Sequence, residues 1–148
     1  MYAQLHGIDQ TVGRSQAWSD RLTDTQQKLA QGCDDIIGAC FEADGVGTTV
    51  DHMRRTERGW IISSVRGAVN PKAAYTGDLA HAIWVLKRCR YTIIEARIVT
   101  IDPDWTSDST CSPFVVKRVS ESAETRSRQL DELIPDLVEA ISLSLIHI

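Results

Sequence analysis

The sequence predicts a mainly helical α+β domain, and three observations carry that prediction. Apolar and small residues recur at steps of three and four through residues 15–41 and again through 72–89, while residues 91–101 and 113–119 are rich in β-branched and aromatic side chains. At 148 residues with 43% hydrophobic side chains and a formal net charge of −4, one core suffices and no metal or disulfide staple is needed. An all-helical bundle, in which the two β-like runs extend the helices, is the alternative.

The first element expected is a long N-terminal helix over residues 15–41, whose stripe runs through Trp18, Leu22, Thr25, Leu29, Ile36 and Cys40. Such a narrow stripe suits a seam against a partner or a second copy. Gly32 and Gly38 weaken a free-standing helix by roughly 1 kcal/mol each, so packing must support it. Ala43-Asp44-Gly45-Val46-Gly47 supplies its stop. Thr48 three residues before Asp51 then reads as the start of a helix carrying His52 to Arg58. Residues 60–66 fit either its continuation or a strand. Asn70-Pro71 marks a turn.

A second helix is expected over residues 72–90, followed by an antiparallel pair from 91–101 and 114–119, with residues 60–66 as the candidate third strand. A C-terminal helix starts near Ser120, and Pro135 either kinks it or opens a separate helix. The domain is taken as residues 1–142. Residues 143–148 (Leu-Ser-Leu-Ile-His-Ile) are what CTG TCT CTT ATA CAC ATC encodes, a string that resembles a transposon-end sequencing adapter, so they are expected to be translated adapter, with the native C-terminus outside the sequence. The alternative is that they finish the last helix.

No apolar run reaches the roughly 18 residues of a membrane span, and Asp9, Arg14 and Asp20 occupy the place of a signal-peptide core, so a cytoplasmic protein is expected. Cys33, Cys40, Cys89 and Cys111 contain no Cys-x-x-Cys pair, which removes a zinc knuckle or thioredoxin-like motif. Cys33 and Cys40 read as small core residues.

Charge is informative by position. Residues 1–51 sum to −5, residues 52–100 to +6 and residues 101–148 to −5. The basic middle offers Arg54, Arg55, Arg58, Arg66, Lys87, Arg88 and Arg90 as nucleic-acid ligands, with Trp60, Tyr75, Trp84 and Tyr91 interleaved for stacking. The competing expectation is that the acidic ends fold against this segment and neutralise it.

Enzymatic signals are sparse. Gly45-Val46-Gly47-Thr48-Thr49 lacks the Gly-Lys-Ser/Thr of a phosphate loop. His52 or His81 with Cys89 or Cys111 would make a base and nucleophile only if folding joined them. Asp102 and Asp104, with Glu95 and Asp108 nearby, are candidate ligands for a hard cation in a phosphoryl-transfer enzyme, although Asp-Pro-Asp is also ordinary turn chemistry. Trp105 in the same polar loop reads as a partner contact or as a lid on the core. The leading expectation is a non-enzymatic interaction or assembly protein that binds a protein partner or itself through the N-terminal helix, with no cofactor and no membrane. Nucleic-acid binding comes second and metal-dependent phosphoryl transfer third.

Overall fold

The computed structural model describes residues 10–14, 16–67 and 73–146; the Asn70-Pro71 turn lies outside them. Its elements are α1 (Trp18–Ala30), β1 (Asp35–Ala43), β2 (Val46–Arg55), β3 (Trp60–Val65), α2 (Ala73–Arg88), β4 (Ile93–Ile101), β5 (Phe114–Arg118) and α3 (Ser120–Ile146). The strands form one sheet in the order β1-β2-β3-β4-β5, antiparallel throughout except for the parallel pair β3/β4, which α2 connects.

This architecture corrects the expected mainly helical fold, and with it the all-helical alternative: the molecule is α+β with 31% strand and 41% helix. The long N-terminal helix does not exist. α1 ends at Ala30 in a Schellman motif, where Gly32 at φ +78° donates its N–H to the Leu29 carbonyl and Cys33 donates to that of Lys28, each at 3.1 Å. After that stop, Ile36 and Ile37 enter a strand, which their branched side chains favour.

The supposed helix stop at Asp44-Gly45 is the β1/β2 hairpin turn. Both residues have positive φ (53° and 78°), the requirement of a two-residue type I′ turn. The helix expected after Thr48 is therefore β2, and residues 60–65 form the central strand β3 instead of an optional third one. The expected helices at 72–90 and from Ser120 correspond to α2 and α3, and Pro135 lies inside α3. Residues 143–146 continue α3.

One core holds these elements together. Ile36, Met53, Ile62 and Ala96 are register partners in a row across β1 to β4, each no more than 1% exposed, and they join Leu79, Ile83 and Leu86 of α2 in the same cluster. Removing that row from water is the main stabilising term, about 1.5–3 kcal/mol for each large side chain. Cys33 and Cys40 are both buried in this interior. At the other end of β1, the Cys40 N–H donates to Thr25 Oγ1 at 2.9 Å, tying α1 to β1.

α2 ends in a second Schellman motif, but with arginine in the left-handed position. Arg90 at φ +69° donates its N–H to Lys87, and Tyr91 donates to Leu86, both at 3.0 Å. The Tyr91 ring then meets Phe41 edge-on with centroids 5.2 Å apart, fixing the chain as it enters β4.

Candidate functional site

Four of the seven basic side chains singled out by the sequence are engaged with carboxylates. Arg54 Nε donates to Asp35 Oδ1 at 2.8 Å, Arg66 bonds Asp78 at 2.6 Å, Lys87 bonds Glu124 at 2.5 Å, and Arg88 meets Asp131 at 3.1 Å and Asp44 at 3.4 Å. Of those five carboxylate partners, Asp35 and Asp44 lie in the acidic stretch before residue 45, Glu124 and Asp131 in the one after residue 120, and Asp78 in α2 itself. Arg88 also lies 3.6 Å above the Trp84 ring, Arg66 lies 4.9 Å from Tyr75, and Arg55 lies 4.8 Å from Trp60. Trp84, Tyr75 and Trp60 thus stack on the protein's own arginines, while Tyr91 meets Phe41 and Trp60 edge-on. Arg58 and Arg90 are exposed, at the β2/β3 turn and after α2.

Asp35 is the focus of the most buried of these pairs. Burial alone would push its carboxyl up, but hydrogen bonds from Arg54 and from His52, whose Nε2 is 2.8 Å away, together with their charges, hold it below the ordinary value of 3.8.

The candidate cation ligands Asp102 and Glu95 have partners of their own. Asp102 accepts the N–H of Asp104 at 2.9 Å, a local turn bond, and Glu95 is held between Arg97 and Arg118, with Arg118 Nε at 2.8 Å. Among the described residues no group of three or more His, Cys, Asp or Glu side chains is placed to hold a metal. Burial pushes the Cys89 thiol up, away from nucleophilic character, and His52 is engaged by Asp35. Trp105 donates Nε1–H to the Cys111 carbonyl at 2.8 Å while 37% of it stays exposed.

A second polar cluster sits where β3 ends. Asp51 accepts the Val65 N–H at 2.9 Å, Arg66 Nε donates to Ser64 at 2.9 Å, and these groups with Asp78 and Leu79 line a cavity of about 40 Å³. Its hydrogen-bonding groups are largely turned on one another.

The feature with unspent capacity lies on the β5 side. Register partners project from the same face of a sheet, so Val65, Val99 and Val116 make one apolar row across β3, β4 and β5, with Ile101 and Phe114 forming the next. The alternate residues Ala96, Ile98 and Thr100 are buried on the helix-covered face. The row on the opposite face is open: Val65 is 49% exposed, Phe114 54% and Val116 53%.

The outer edge of β5 is open as well. Pro113 accepts from Asp102, and Val119 donates to Ala96; by the two-residue alternation, Phe114, Val116 and Arg118 turn their N–H and C=O groups away from β4. Among the described residues no strand lies beyond β5. The next element repeats the pattern. Ala123, Ser127 and Ile134 of α3 are buried, with α2 packed against α3, whereas Leu137, Val138 and Ile141 continue that stripe exposed.

No protein-family model and no curated protein matches the chain. Among solved structures, a crystal structure of SSO0001 is similar at 13% identity with a TM-score of 0.39, over 78% of this chain and 57% of that one. The chain thus spans little more than half the length of that neighbour. A likeness at this level assigns nothing to the site.

Sequence reasoning recognised residues 114–119 as a strand but missed its exposure. The available signal was the pattern: Phe114, Val115 and Val116 are consecutive apolar residues, whereas a half-buried edge strand alternates. No helix of the described residues is long and apolar enough to cross a membrane.

Proposed function

We propose that this chain is a non-enzymatic assembly protein that takes a partner polypeptide onto the β5 edge, with the apolar row and the exposed half of the α3 stripe as the surrounding contact. The observation that carries the reading is β5 itself: Phe114, Val115 and Val116 are all exposed, on both faces of a strand whose outer hydrogen-bonding edge has no described neighbour. Unpaired strand edges recruit further strands, and contiguous exposed apolar surface marks interaction sites.

The contact surface moves away from the N-terminal helix because α1 is 13 residues long and packs on β1. Nucleic-acid binding draws less support, since Arg54, Arg66, Lys87 and Arg88 are engaged with carboxylates.

A photo-crosslinker placed at Val115 in cells tests the proposal, with the same probe at Gln26 on the exposed side of α1 as control. A covalent polypeptide adduct is expected from position 115 and not from 26, and it is expected to disappear in a Val116→Pro background. That substitution deletes only an outward-facing N–H, and proline is tolerated on edge strands. No adduct at 115, or one indifferent to Val116→Pro, overturns the reading.

A further inference from the structure

Resting on that assembly reading, we infer that the polypeptide taken onto β5 is a second copy of this chain, joined by antiparallel pairing of the two β5 strands about a two-fold axis at Val116. The hydrogen-bonding phase of β5 selects this centre. Phe114, Val116 and Arg118 carry the outward N–H and C=O groups, so a two-fold axis at Val116 lets Val116 exchange both bonds with the partner's Val116 and lets Phe114 do the same with the partner's Arg118.

Charge selects the same register. Antiparallel pairing sets Lys117 opposite the partner's Val115 and Arg118 opposite the partner's Phe114, so no like charges face one another and an arginine meets an aromatic ring. Parallel in-register pairing would oppose Lys117 to Lys117 and Arg118 to Arg118. A two-fold axis moved to Arg118 would oppose the arginines directly, and one moved to Phe114 would run out of strand.

The join also continues the apolar row. Val65, Val99 and Val116 on one copy meet the same three residues in reverse order on the other, giving a single row across the combined sheet. Five-residue strands alone bury little against the roughly 1,200–2,000 Å² of a stable interface, so this row and the exposed α3 stripe must contribute, and the dimer is expected to dissociate on dilution.

The experiment is the mass of the purified full chain across concentration, with amide exchange on the same samples. The parent is expected to double in mass as concentration rises, with slowed exchange at Phe114, Val116 and Arg118. Val116→Pro and Val116→Glu are expected to remain monomeric with unchanged circular dichroism, the first by losing the central donor and the second by opposing two carboxylates at the axis. Phe114→Glu is expected to stay dimeric, because its carboxylate would face the partner's Arg118. A parent that is monomeric at every concentration overturns the inference, as does a Phe114→Glu variant that dissociates while Val116→Glu does not. If the parent is monomeric but the Val115 probe still forms its Val116→Pro-sensitive adduct, the assembly reading stands with a different partner. If neither is seen, both fall.

Discussion

At Arg90 the chain places a charged, β-carbon-bearing residue where a helix end favours glycine. Its φ of +69° closes the Schellman motif after α2 and turns the chain toward β4. A left-handed backbone costs an L-residue about 1–2 kcal/mol, and glycine escapes that cost. Arg90→Gly is therefore expected to raise stability by about 1 kcal/mol, read as a higher urea midpoint with an unchanged slope. A lower midpoint would mean that the arginine side chain makes a contact worth more than the strain. In the sequence this residue looked like part of a basic patch. Its conformational role was not legible, because only the distance from the end of α2 reveals it.

Elements were legible where a single periodicity acted alone and were lost where two overlapped. α2 and α3 appear in the sequence because their apolar residues keep helical spacing over many turns. β1 was read as helix because Ile36 and Cys40 happen to extend the α1 spacing beyond Gly32, while the decisive local signals were the glycine stop and the Asp44-Gly45 turn. Tertiary context then chose the strand, since β1 pairs along nearly its full length with β2. α3 shows how far one element can be held by another. At 1.5 Å per residue its 27 residues extend about 40 Å against about 24 Å for the 16 residues of α2, so α2 cannot cover its whole length. Ile134 is 7% exposed and Ile141 61%. In dilute protein, Ile134→Ala is expected to cost about 2–4 kcal/mol and Ile141→Ala less than about 0.5 kcal/mol, measured by chemical denaturation. Equal costs would mean that the second half of the helix is also packed in the monomer.

Across the whole molecule, the −5, +6, −5 succession of charge is paired internally in part, through Arg54, Lys87 and Arg88. The sequence displayed the segments but not their contacts, because Asp35 meets Arg54 only through the β1/β2 register, and Glu124 meets Lys87 only through helix packing. The pairs are not equivalent. Lys87–Glu124 and Arg88–Asp131 are well exposed and contribute little, whereas Asp35 is 9% exposed and receives both Arg54 and His52. Acid sensitivity should therefore concentrate at Asp35. Its folded pKa lies below the 3.8 of the free carboxyl because the two hydrogen bonds and their charges outweigh burial. A depressed carboxyl contributes stability that is fully present above the unfolded value and is lost as pH falls through the folded one. The urea midpoint of the parent is thus expected to exceed that of Asp35→Asn near pH 5, by a margin equivalent to about 1–2 kcal/mol for the lost charge-assisted hydrogen bonds. That margin is expected to close below pH 3.8. A margin that widens toward acid would show that burial, and not the pairing with the basic middle of the chain, governs this carboxyl.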